Sequence, residues 1–218
     1  MSAGFVPGPL GAGLAARALA LADGGRALLG ITGPPGAGKS TLAGAVVEAT
    51  RAAGVETVLL PMDGFHLANA ELARLGRADR KGAPDTFDAA GFVALLERVR
   101  GQRPGDGIVY GPLFERGREA SLAGAVPVEA SARLVVVEGN YLLHDDGAWA
   151  RVAGLLDECW YVDLDEEVRV ERLVARHVAH GRSPQAAREW VLRSDEANAR
   201  LVARGRDRAT LLVPAMED

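Results

Sequence analysis

The stretch Gly33-Pro34-Pro35-Gly36-Ala37-Gly38-Lys39-Ser40 matches the pattern G-x-x-x-x-G-K-[ST]. It stands between an apolar run, Ala27-Leu28-Leu29-Gly30-Ile31-Thr32, and the helix-compatible Thr41-Leu42-Ala43-Gly44-Ala45-Val46-Val47. Strand, glycine-rich turn and helix in that order make a phosphate cradle. The glycines let the backbone approach an anion, several N–H groups point inward, and the helix N-terminus adds roughly half a positive charge. Gly33, Pro34, Pro35, Gly36, Ala37, Gly38, Lys39, Ser40 and Thr41 are therefore the expected nucleotide contacts, with Lys39 on the terminal phosphates and the Ser40 hydroxyl on Mg²⁺. With 27 glycines in the chain such a turn can match by chance, but chance turns rarely fall between a buried strand and a helix. Lysine usage points the same way. Lys39 and Lys81 are the two lysines, against 23 arginines, so a chain that otherwise uses Arg keeps Lys where a compact ammonium suits a phosphate.

At 218 residues and 48% hydrophobic, the chain can bury a full core and is expected to form a single domain over 1–218. A net charge of −4 argues against nucleic acid or an anionic membrane as the main partner and leaves small molecules, with assembly as a monomer or homodimer. Cys159 is the single cysteine, which excludes a disulfide framework and a zinc-type cluster and reads as a small buried hydrophobe. The apolar stretch from Leu10 to Ala22 carries Arg17 and no basic segment before it, so it is read as a helix against a sheet rather than a signal peptide. No run reaches membrane-spanning length, and the expected location is cytoplasmic.

Short apolar strands are expected at 27–32, 55–60, 134–137, 159–162 and 210–213, separated by helical patterns at 40–53, 88–100, 166–180 and 184–203. Continuous apolar strands alternating with helices predict a mostly parallel sheet covered on both faces, with ligands at the carboxyl ends of the strands. Ser183-Pro184 supplies an N-cap and a proline at the first helical position of the last helix. Two inserts, 62–87 and 101–133, fit no simple crossover and are where a second substrate is expected to be held.

Asp63 follows the second strand in Pro61-Met62-Asp63-Gly64-Phe65-His66, at the same end of the sheet as the phosphate loop. An isolated Asp-Gly is a turn cap; beside a phosphate site, the carboxylate suits accepting the proton of a substrate hydroxyl or sharing in metal binding. Glu138 ends the strand Leu134-Val135-Val136-Val137, where a Mg²⁺-organising carboxylate is needed, directly or through water. Arg172 and Arg176, four apart on one helix face, and Arg182, turned back by Gly181, are read as a phosphate-clamping lid over about 166–184. The competing reading is surface ion pairing with Glu166 and Glu167. His66 either hydrogen-bonds substrate or is a satisfied structural histidine, and no His/Cys cluster supports a metal there.

Together and in this order, these segments resemble the family containing uridine kinase, phosphoribulokinase and pantothenate kinase, over roughly residues 27–215. Asp63-Gly64-Phe65-His66 is similar to the family's segment after the second strand, whose Asp is the catalytic carboxylate. Arg80-Lys81-Gly82-Ala83-Pro84-Asp85-Thr86-Phe87-Asp88 resembles a substrate-side segment, Tyr110-Gly111-Pro112-Leu113-Phe114-Glu115-Arg116 the hairpin over the acceptor, and Glu138-Gly139-Asn140-Tyr141 the acidic strand end. The resemblance implies a P-loop α/β/α sandwich with a helical lid and transfer of the ATP γ-phosphate to a hydroxyl of a nucleoside, sugar or pantothenate-like acceptor. It also implies acceptor contacts from His66, Arg80, Lys81, Asp85, Phe87, Tyr110, Phe114 and Tyr141. The lid is about one residue shorter than the uridine-kinase pattern between Arg176 and Arg182. Alternatives are a nucleoside-monophosphate kinase and a nucleotide-binding regulatory ATPase. The chain has no Asn-Lys-x-Asp guanine-reading motif and no Leu-Ser-Gly-Gly signature, which disfavours a GTPase or an ABC-type ATPase and makes ATP the expected donor.

Overall fold

The computed structural model describes residues 11–216. The elements that build the central layer are β1 (Ala27–Thr32), β2 (Thr57–Pro61), β5 (Leu134–Glu138), β6 (Glu158–Asp163) and β7 (Leu211–Pro214), with β3 (Val109–Glu115) and β4 (Ala120–Val128) set apart as a hairpin. The five strands of the central sheet run in the order β2-β5-β1-β6-β7, and every neighbouring pair is parallel. The strands fall where apolar patterning places them.

Side-chain alternation divides the sheet into two faces. Leu29 and Ile31 of β1 and Leu134 and Val136 of β5 pack with Ala18 and Ala22 of α1 (Ala12–Asp23) and Leu42, Ala43 and Val46 of α2 (Lys39–Ala52). Leu28, Val135 and Val137 point the other way, onto Phe92, Leu96 and Val99 of α4 (Ala89–Gly101) and onto the hairpin through Val126 and Val128. Helix on sheet on helix buries both faces, and truncating a fully buried side chain such as Leu134 to Ala costs about 2–5 kcal/mol. Cys159 is buried in the second core, where desolvation pushes its thiol up to about 12. The helical spacing expected from Leu10 begins outside the described residues at that position; α1 itself starts at Ala12.

The two inserts are more ordered than their composition implies. Residues 62–87 make a tight turn (Met62–Phe65), α3 (Asn69–Arg74) and further short turns, and 101–133 contains the β3–β4 hairpin. The hairpin lies on the Met62–Phe65 turn so closely that a side chain at Gly64 would meet the Pro112 carbonyl. Pro112 sits where the hairpin register shifts, between Gly111 and Leu113, as expected of a residue that cannot donate to the ladder.

After β6 come α5 (Glu166–Ala179), capped by Asp165, and α6 (Pro184–Trp190), capped by Ser183 as expected. The single helix expected over 184–203 is instead interrupted by a wide turn, Val191–Asp195, before α7 (Glu196–Ala203). The amide of Glu196 donates to the Val191 carbonyl five residues back, a π-type insertion of the kind that recurs at functional sites. It brings Asp195 to 2.9 Å from His177 of α5, a contact between helices that periodicity within one segment does not encode. Arg169 of α5 and Glu196 of α7, both buried, pair at 2.5 Å, and Arg169 also donates to the Pro35 carbonyl at 3.4 Å. The lid helices are thus tied to one another and to the phosphate loop.

Candidate active site

The loop 33–38 leaves the carboxyl end of β1 and turns into α2. Gly38, the cap of α2, has φ +94°, and Gly36 has φ +81°, both left-handed conformations that favour glycine. A Cβ on Gly36 would also come within 2.7 Å of Leu173 of α5, so the lid rests directly on the loop. Lys39 is buried at the helix start, its ammonium donating to the Pro34 carbonyl at 3.0 Å. Burial pushes its pKa down, opposed by the nearby Glu138 and Asp63 carboxylates. Glu138, at the tip of β5, is pushed up by burial, against the pull of Lys39 and of a hydrogen bond from the Ser40 hydroxyl.

These groups line a cavity of about 640 Å³ at the carboxyl end of the sheet. From the loop come Pro35, Gly36, Lys39 and Ser40, and from the turn after β2 come Asp63 and His66. The 62–87 insert adds Lys81 and Phe87, the hairpin Phe114, and the lid Arg176 and Arg182. Asp63 Oδ2 lies 3.5 Å from Arg116 Nη2. His66 Nδ1–H donates to the Asp63 carbonyl at 2.8 Å, and its ring packs between Phe87 and Phe114 with centroids 4.0 and 4.7 Å away. Burial keeps this imidazole below its usual pKa, hence neutral. His66 is therefore both a satisfied histidine and a wall of the cavity. Gly181, at φ +93°, reverses the chain so that Arg182 faces inward, where its guanidinium stacks 4.2 Å over Trp190. Neither Arg176 nor Arg182 forms an ion pair among the described residues.

Other expected residues do not line this cavity. Gly33, Pro34, Ala37 and Gly38 form the loop itself, and Thr41 lies in the first turn of α2. Arg172 is not at its wall, because only the last turn of α5, through Arg176, His177 and His180, reaches it. Arg80 and Asp85 neutralise each other at the surface, 2.5 Å apart. Tyr110 is exposed, because the register shift at Pro112 reverses which face of β3 points inward: Val109 and Gly111 are buried before it, Phe114 lines the cavity after it. Tyr141 is a buried core aromatic whose hydroxyl donates to the Gly82 carbonyl at 2.5 Å, and so holds the insert rather than meeting the cavity.

Several lining residues were not among the expected contacts: Arg116, Glu119, Asn140, His177, Asp195 and Asn198. Arg116 carried a usable signal, since it closes the segment that resembles the acceptor hairpin, at the first residue of the turn after β3. Asp195 and Asn198 carried none, because the wide turn that aims them was not expected.

Among the described residues no three His, Cys, Asp or Glu side chains cluster as a metal cage. A hydroxyl and a carboxylate beneath a phosphate loop offer oxygen donors only, which suits a hard cation that takes its remaining ligands from phosphates and water.

The model of the phosphoribulokinase/uridine kinase family matches residues 28–218. An ATP-dependent kinase-like protein, notR', of Aspergillus versicolor is 34% identical over 160 residues, 70% of this chain and 93% of that protein. The uncharacterized protein YggC of Escherichia coli K12 is 34% identical over 197 residues, 88% of this chain and 79% of its own length. The crystal structure of a protein named, provisionally, a fructose transport system kinase from Silicibacter sp. TM1040 superposes with a TM-score of 0.86 at 36% identity, covering 97% of this chain and all of the other. No helix among the described residues is long and apolar enough to cross a membrane. The chain belongs to the phosphoribulokinase/uridine kinase family and is a P-loop kinase.

Proposed function

We propose that the protein transfers the γ-phosphate of Mg-ATP to a hydroxyl of a small metabolite. The observation that carries this is the position of Asp63: a carboxylate just after β2, the strand next to β5, lining the same cavity as Lys39, Ser40 and Glu138. In this reading, Asp63 orients the acceptor hydroxyl and takes its proton as the oxygen–phosphorus bond forms and the bond from the γ-phosphorus to the β–γ bridging oxygen breaks, releasing ADP. The loop amides and Lys39 hold the β- and γ-phosphates. Arg176 and Arg182 neutralise the charge that shifts between attacking and leaving oxygens. Ser40 and Glu138 would hold Mg²⁺, which when bound offsets the charge of the phosphate oxygens. Arg116 pairs with Asp63 and keeps the carboxylate aimed into the cavity.

The test is a panel of nucleosides, pentoses, hexoses, pantothenate and glycerate with Mg-ATP, following ADP release. A kinase shows release that depends on one acceptor class and rises with its concentration. A basal rate that no acceptor raises would favour a regulatory ATPase instead.

A further inference from the structure

The cavity has two charge regimes. On the loop and lid side stand Lys39, Arg176 and Arg182, none salt-bridged among the described residues. On the other side, the cations are already matched. The Lys81 ammonium, with a side chain only 18% exposed, is held by Glu119 Oε2 at 2.8 Å and Asn69 Oδ1 at 2.8 Å. Arg116 lies against Asp63. Of the other arginines of the same insert, Arg77 and Arg80 are both bound to Asp85 and Arg74 to Glu71, all outside the cavity.

The pairing is built rather than incidental. Glu119 is the one non-glycine among the described residues with a left-handed backbone, φ +50°, at the tip of the hairpin, and strain of this kind persists where surrounding structure imposes it. From that tip its carboxylate crosses to an insert residue 38 positions away in sequence. The same ammonium lies 5.1 Å over the ring of Phe114, which packs on the neutral His66. Asp63, His66, Phe114, Lys81 and Glu119 are thus one connected wall.

We propose that the acceptor is an uncharged polyhydroxy compound, a sugar or polyol, and that Glu119 sets this preference by neutralising Lys81. The inference rests on the kinase reading above. An acceptor carrying a carboxylate or phosphate would enter a wall whose cations are spent and whose carboxylates repel it, a mismatch that charge complementarity penalises steeply in a partly desolvated site. Hydroxyl groups meet the opposite situation. They donate to Asp63 and Glu119 and lie with their carbon skeleton against the aromatic rings, and a site built for hydroxyl donors discriminates strongly by leaving no polar group unpaired. A nucleoside-monophosphate acceptor is disfavoured on the same ground.

The experiment uses the full chain with Mg-ATP and matched neutral and anionic acceptors: glycerol and glycerate, glucitol and gluconate, uridine and UMP. The expected result is that the neutral member of whichever pair is turned over has the higher kcat/KM, by about tenfold or more. A preferred anionic member overturns the acceptor class while leaving the kinase reading intact. ATP binding with no acceptor-dependent ADP release in any pair overturns the kinase reading, and this proposal with it. Glu119→Gln, at an exposed hairpin tip where folding is not at stake, releases the Lys81 ammonium and should move the neutral-to-anionic ratio toward the anion by about tenfold, chiefly through KM. A ratio that does not move removes Glu119 as the determinant.

Discussion

The two sides of the cavity differ in what their positive charges touch. On the loop side, the Lys39 ammonium meets a backbone carbonyl, Arg182 lies over the Trp190 ring and Arg176 forms no ion pair among the described residues. On the hairpin side, Lys81 and Arg116 are each held by a carboxylate. Burying an unpaired cation such as Lys39 is costly, and a wall that adds the unpaired, exposed Arg176 and Arg182 beside it suits a polyanion, whereas a wall whose cations are already matched by carboxylates does not. The contrast teaches how the protein would divide charge between its two substrates. It also fixes which substitutions disturb donor handling and which disturb the acceptor.

The largest effect is expected where the unmatched charge is most buried. Lys39→Met keeps stem volume and removes the cation, and transfer should fall by at least about 10³ with ATP binding weakened too. Steady-state rates and titration of ATP check this, and unchanged turnover would dissolve the loop-side half of the comparison. Next come Arg176→Ala and Arg182→Ala. A lid arginine acts on charge that moves during transfer, so kcat should drop by about 10- to 100-fold while ATP affinity changes less. Arg182→Lys tests the stacking as well, since an ammonium replaces the planar group lying on Trp190. If both alanine variants behave like the native protein, the lid arginines are ordinary surface charges.

The smallest effect lies away from the cavity altogether. Cys159 titrates near 9.0 when unfolded and is pushed up to about 12 in the core. Between these values the native state binds the extra proton, so this group's contribution to stability is complete below about pH 9 and is lost as pH rises through that window. Denaturant unfolding from pH 8 to pH 10.5 should show a decline that Cys159→Val flattens. An equal decline in both proteins would assign it to other groups.

The same two sides differ in how far the sequence reveals them. The loop side is legible because each part is contiguous: a strand, a turn and a helix for Lys39 and Ser40, a strand tip for Glu138, a chain reversal at Gly181 for Arg182. Continuous apolar runs alone place the sheet, and strand ends place their carboxylates. The hairpin side is assembled from distant segments, so spacing misleads there. Tyr110 was expected at the acceptor because its segment resembles the family's acceptor hairpin, but a register shift at Pro112 turns it to solvent. Arg80 and Asp85 were expected in the site and satisfy each other instead. Glu119 and Asp195 enter the cavity through a strained turn and a wide helical turn, neither of which has a local signature in composition or period.

The comparison turns on Asp63, where the two sides meet. Asp63→Asn keeps the shape and nearly the volume of the side chain and removes the proton acceptor. ATP affinity measured by isothermal titration, alongside acceptor-dependent rates, is the most direct test. The account predicts ATP binding close to native, because Lys39, Ser40 and the loop amides are untouched, with transfer slower by a factor of about 10² to 10⁴. Equal loss of binding and transfer would contradict it, making Asp63 a metal-holding group on the loop side and leaving the proton to another carboxylate.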